Sequence, residues 1–170
     1  MGRFLRAATA AALAAVLCVA CGSGGERAPL PSNLTTELAT FVVTIFETDS
    51  VAASALSADS HRPLVCVAEP FGIDPDTATE PGGVGTVYAA VFCAVRDLGV
   101  PYEGSSRISS VVAVHRASPV TVQVPRDGTY HQQDIEQIFP KGLRERAFEG
   151  YRDTYAADLE LAGRYADQSR

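Results

Sequence analysis

The side chains of this sequence that could move protons or hold a metal near neutral pH are three histidines, His61, His115 and His131. None has a second His or Glu at the i, i+4 spacing of a zinc-binding helix, and HExxH is absent. All three read as surface or turn residues, and no metal site is expected. Hard oxygen ligands of the kind calcium takes cluster in Asp74-Pro75-Asp76-Thr77-Ala78-Thr79-Glu80. That segment lacks the glycine and the twelve-residue spacing of an EF-hand, and Pro75 limits how the first two carboxylates converge, so it reads as a solvated acidic loop. Ser105, Ser106, Ser109 and Ser110 could offer a nucleophile, yet no G-x-S-x-G elbow surrounds them and spacing delivers no base. Gly82-Gly83-Val84-Gly85 is half of a phosphate loop without the Lys-Ser or Lys-Thr that completes one. One route to catalysis remains, a set assembled only by folding, with His115, His131, Asp127 and Asp134 as members. Spacing itself gives no catalytic residue and no cofactor.

Periodicity predicts the elements that carry these residues. Leu34, Leu38, Phe41, Val42, Ile45 and Phe46 recur at helical spacing behind Ser32 or Asn33 as N-cap, giving a helix over 34–56 with a bend near Asp49-Ser50. Residues 63–68 form a short apolar run closed by Glu69-Pro70 and read as a strand. Residues 71–85, with Gly72, Pro75, Pro81, Gly82 and Gly83, read as a long exposed loop. Residues 86–95 read as a strand from their Val, Tyr and Phe content, and 108–115 and 120–124 as two more joined by a hairpin. Beyond the turn signal Arg126-Asp127-Gly128, Asp134, Ile135, Ile138 and Phe139 predict a short helix stopped by Pro140. Leu143, Ala147, Tyr151, Tyr155, Leu159 and Ala162 then predict one long amphipathic helix over 141–166. The fold class is therefore α+β: an N-terminal helix packed on a four-stranded antiparallel sheet, followed by two C-terminal helices.

The chain begins with Arg3 and Arg6 and no acid, then runs apolar from Ala7 to Ala20. That stretch is about 14 residues, roughly 21 Å as a helix, short of a hydrocarbon core of about 30 Å. A charged start and a short apolar run are the pattern of a secretory signal peptide. Its end, Cys18-Val19-Ala20-Cys21 before Gly22-Ser23-Gly24-Gly25-Glu26, resembles a bacterial lipobox with Cys21 as the lipidated residue. It departs from the commonest form in one place, with Cys18 where Leu is usual. The resemblance implies cleavage before Cys21, diacylglycerol on its thiol, and a palmitate-type acylated anchor on the extracytoplasmic face of the cell membrane. Two or more acyl chains hold such an anchor where one is marginal. The expected division is a signal peptide at 1–20, a lipidated flexible tether at 21–33 rich in Gly, Ser and Pro, and a single domain at 34–168.

With Cys18 removed and Cys21 lipidated, Cys66 and Cys93 remain in a compartment where disulfides persist. Both lie in apolar, strand-like surroundings and are expected to pair, closing about 28 residues and contributing on the order of 3 kcal/mol. The net charge of −6 becomes −8 once Arg3 and Arg6 leave, and no run of Lys or Arg survives, so nucleic acid is not an expected partner. Lysine occurs once, at Lys141, among many Arg and Ala, a bias similar to that of high-GC actinobacterial sequences.

In element order, a helix on an antiparallel meander is similar to the cystatin-like and nuclear-transport-factor-like folds. The stretch from Val124 to Asp134, followed by Ile138-Phe139-Pro140, resembles the strand-to-helix joint of secreted actinobacterial proteins of unknown role. There Gly128 can take positive φ, Asp127 can bond into the turn and Thr129 can cap the next helix. The lipobox resemblance implies an extracytoplasmic lipoprotein, and the tether, the expected disulfide and the lack of an acid-base set lead to the expectation of a non-catalytic binding or accessory module of the cell envelope. Its implied partners are the membrane, through the lipid, and an envelope protein or small ligand; the alternative is a small cell-envelope hydrolase.

Overall fold

The computed structural model describes residues 30–56 and 62–168. The expected signal peptide, Cys18, Cys21, residues 21–29 of the expected tether, and His61 lie outside the described residues; the last two tether residues, Ser32 and Asn33, belong to the first helix.

Helix α1 (Ser32–Thr48) buries Leu34, Leu38, Val42 and Phe46 of the predicted stripe, together with Val43, while Phe41 and Ile45 are half-buried at its margin. Neither Ser32 nor Asn33 caps it: both are already helical, and the cap position falls on Pro31, which makes no side-chain bond. The outer face carries Thr36, Thr40, Thr44 and Thr48, each hydroxyl donating to the carbonyl four residues earlier, a back-bond that gives the hydroxyl a partner but shares an acceptor of the helix ladder. The expected bend is real. Asp49 turns extended, its Oδ1 accepts from the N–H groups of Val51 and Ala52, and α2 (Ser50–Leu56) departs at 94° to α1. Among the described residues no single helix is long and apolar enough to cross a membrane.

Four strands, β1 (Leu64–Asp74), β2 (Thr86–Val95), β3 (Arg107–His115) and β4 (Thr121–Gln123), form an antiparallel meander in sequence order. Strand β1 runs on through Phe71–Asp74, where a loop was expected. Pro70 sits on the sheet edge, where its missing N–H costs no ladder bond, and a register shift between Pro70 and Gly72 restarts the pairing. Gly72 leaves room for the Leu143 side chain, whose methyl ends occupy the space a Cβ would take and would have to shift for any larger residue.

Both faces of the sheet are covered, which explains why β2 reads as a continuous apolar run with only Phe92 half-exposed. Under α1 lie Cys66, Ile73, Val87, Ala89, Val91, Cys93, Val112 and Val114. On the other face Tyr88, Ala90, Val111 and Ala113 meet Ile135, Phe139, Leu143 and Ala147, while Val65, Val67 and Ala94 meet Ala157, Leu161 and Tyr165.

The predicted helix over 141–166 is two helices. After α3 (His131–Ile138), α4 (Arg144–Glu149) stops at Gly150, whose φ of 70° an ordinary residue resists. Asp153 then accepts from Ala156 N–H and caps α5 (Thr154–Asp167). The break resets the helical phase: Ala157, Leu161 and Tyr165 are buried in α5, while Tyr155 and Leu159, expected on the inner stripe, are exposed.

Candidate functional site

Cys66 and Cys93 stand directly opposite each other on β1 and β2 with Cα atoms 4.1 Å apart, and they form the expected disulfide. Both are fully buried beneath α1. The Cys66 N–H points away from β2 and donates to Glu47 Oε1 at 2.9 Å, and the same carboxylate oxygen accepts from Arg164 at 2.8 Å. Glu47 comes from α1 and Arg164 from α5, so the two helical layers clasp around the β1 edge. Further along, Glu69 accepts from Arg146 and from the Arg152 N–H. Pro70 follows on the same edge. This edge is closed by ion pairs and a missing donor, two devices that block strand addition.

His115 is the middle of a row across three strands. Its Nδ1 lies 3.0 Å from Thr86 Oγ1 on β2 and its Nε2 lies 2.9 Å from Gln123 Oε1 on β4. With the proton on Nε2, the ring donates to Gln123 and accepts from the Thr86 hydroxyl, the order of a nucleophile, a base and an orienting amide. Thr86 is only 7% exposed, however, and its hydroxyl is consumed by a direct cross-strand partner. The row fastens the sheet where β4 joins it.

The joint between β4 and α3 is organised by a different pair. Arg126 meets Asp134 with both Nε and Nη2, each at 2.7 Å, and its backbone N–H donates to the same carboxylate at 2.9 Å. The guanidinium stacks over the Tyr130 ring at 4.3 Å. Gly128 takes positive φ as expected, but neither Asp127 nor Thr129 caps a helix; Asp134 instead ties the turn to the start of α3. These bonds hold the Asp134 carboxyl down at about 2, chiefly through the Arg126 side chain and then its backbone N–H. Its folded-state value is below its unfolded value of about 4, so the stabilisation is complete above pH 4 and disappears as pH falls toward 2. Urea midpoints measured from pH 7 to pH 2 should therefore fall less steeply below pH 4 for Asp134→Asn than for the parent chain.

The other candidates are distributed as structural residues. His131 packs edge-on against Phe148 with ring centroids 6.3 Å apart, and no hydrogen bond joins any two of His115, His131, Asp127 and Asp134. Ser105 donates to the Tyr102 carbonyl and Ser110 to that of Val111. Pro81–Gly83 form a 3-10 turn whose Pro81 carbonyl accepts from Arg116, with Gly85 O accepting the Arg116 N–H, so the glycines seat a loop against β3. Among the described residues, no group of three His, Cys, Asp or Glu is placed to hold a metal.

No family model, curated protein or solved structure matches this chain.

Sequence reasoning did not find Thr86 and Gln123 as the partners of His115, because that row depends on strand register. It also missed Tyr102, Arg107 and Asp158, which meet at the other end of the sheet. There Asp158 accepts from the Tyr102 hydroxyl at 2.6 Å and from the Arg107 guanidinium at 3.0 Å, which lowers the Asp158 pKa, while burial and the Asp158 contact raise that of Tyr102. Only Arg126 and Asp134, eight residues apart, left a local trace.

Proposed function

We propose that this protein is a lipoprotein held on the extracytoplasmic face of a bacterial cell membrane through Cys21, with a non-catalytic domain that binds or accompanies an envelope partner. The observation that carries the anchor is the junction Val19-Ala20-Cys21 followed by Gly22-Ser23-Gly24-Gly25, a small residue before a cysteine and a flexible segment behind it. Support for the non-catalytic reading comes from the polar side chains themselves. His115, Asp134, Glu47 and Glu69 each spend their bonds on strands, joints or sheet edges. A domain with a buried disulfide suits an oxidising compartment.

Intact-mass measurement of the membrane-purified chain tests the anchor. The expected N-terminal residue is a Cys21 carrying a diacylglyceryl group and an acyl chain, and Cys21→Ala should appear in the soluble rather than the membrane fraction. An unmodified N-terminus sinks the anchor. The Thr86–His115–Gln123 row favours the hydrolase as a second reading. Turnover of an activated ester that is lost in both Thr86→Ala and His115→Ala would make that reading the better one.

A further inference from the structure

The two edges of the sheet are finished differently, and the difference points to a binding site. Whereas β1 is closed by Glu47, Glu69 and Pro70, the far edge is β4, three residues long, with no strand beyond it among the described residues. Its direction of bonding follows from the register. The Cys66 N–H turns away from β2, Val95 N–H bonds toward β3, and Arg116 N–H bonds toward β2. Alternation then turns Ala113 and His115 toward β4, where they face Gln123 and Thr121, and leaves the N–H and C=O of Val122 pointing outward. Pro125, two residues past β4, has no N–H with which to continue the ladder.

Directly beside this edge the elbow of α1 and α2 leaves a cleft of about 220 Å³. Its walls are apolar, with Ile45 and Ala52 from the helices and Val120 and Val122 from the strand side, and Val51 at the rim is 76% exposed. One ionisable side chain lines it, Asp49, and no cation pairs with that carboxylate among the described residues. Volume and charge together define an occupant. Pockets for drug-sized ligands run roughly 300–1,000 Å³, so this cleft admits one or two side chains rather than a whole small molecule. An exposed strand edge offers main-chain bonds to an extended segment, and the single carboxylate favours a cation beside the apolar residue.

We propose that β4 accepts an extended peptide from an envelope partner as a fifth strand, with an apolar side chain seated between β4 and α2 and a lysine or arginine against Asp49. Main-chain bonds to Val122 supply attachment, and the cleft and carboxylate supply selection. This rests on reading the domain as a binding module and assigns that module its site and its class of partner.

The test uses the mature chain purified in detergent and fluorescent hexapeptides of alternating valine and threonine carrying one lysine, one glutamate in its place, or alternate N-methylated amides. Anisotropy should show saturable binding of the lysine peptide, about tenfold weaker binding of the glutamate peptide, and none of the N-methylated one. Asp49→Asn keeps a good cap for α2 while removing the charge; it should weaken the lysine peptide about fivefold and narrow the gap to the glutamate peptide. Ala55→Trp, at an exposed position on the rim, should block the cleft without entering the core and abolish binding. Hydrogen exchange at the Val122 amide should slow on binding. No saturable binding up to millimolar peptide, equal binding of the lysine and glutamate peptides, or binding unaffected by both variants overturns the proposal. Butylammonium binding as tightly as the peptide would also overturn it in favour of a small amine. The mass of Cys21 in the same preparation reads the anchor separately, so a failed cleft and a failed anchor are distinguishable.

Discussion

Replacing Cys66 and Cys93 together by alanine should lower the free energy of unfolding by about 3.5 kcal/mol, the chain-entropy value for a loop of this length, read as a fall in the urea midpoint together with a steeper slope, because the unfolded chain is no longer held compact by the cross-link. The sequence separation of 27 sets that entropic contribution. Strand pairing already holds the two Cα atoms close without the bond, through Val65–Ala94 and Val67–Phe92 on either side, so the folded topology survives and its margin shrinks. Because both sulfurs are buried beneath α1, a reductant reaches them only when the helix lifts or the domain opens. Thiol labelling of the parent chain in reductant should therefore proceed at the rate of opening and accelerate with added urea. Labelling as fast as in a short peptide would contradict the burial.

The second large effect is expected at Arg146. Its side chain is only 11% exposed, donates to Glu69 and to the Gly150 carbonyl, and lies 5.1 Å from the Phe71 ring centroid. Arg146→Ala strands the Glu69 carboxylate on the β1 edge and frees the carbonyl of the residue that ends α4. Breaking a buried pair costs about 3–5 kcal/mol. Glu69 keeps the Arg152 N–H and is 24% exposed, so about 2 kcal/mol is expected here. Arg146→Ala combined with Glu69→Ala should recover part of that loss in a double-mutant cycle; additive losses would show the two side chains to be independent.

The elements were legible wherever burial is set by neighbours in sequence. Leu34 to Phe46 announced α1, Asp49-Ser50 announced the elbow, and residues 86–95 announced β2. The long C-terminal helix was misread for a specific geometric reason. Leu143, Ala147, Tyr151, Tyr155 and Leu159 repeat at a strict four-residue interval, and each such step rotates about 40° around an α-helix. Four of them turn through about 160° and walk off any one face, so that spacing is evidence of a break rather than of a stripe. Gly150 and Asp153, a left-handed stop followed by a cap, were the signals of it.

The polar architecture was much less legible. Glu47 and Arg164 are 117 residues apart, and Glu69 and Arg146 are 77; nothing local couples them. Thr86, His115 and Gln123 became neighbours only through register. The four residues singled out as a possible acid–base set were chosen by residue type, and the fold used two of them, His115 and Asp134, as fasteners instead. The two cysteines could be paired from sequence because, once Cys18 was assigned to the expected leader and Cys21 to the expected anchor, only one combination remained.

The clasp of Glu47 and Arg164 around Cys66 also governs stoichiometry. A sheet with two open edges is a link, able to take a neighbour on each side and extend without limit. With β1 shut, this sheet is a terminus: a strand added at β4 would have no counterpart at the opposite side, and copies joined edge to edge would stop at a pair.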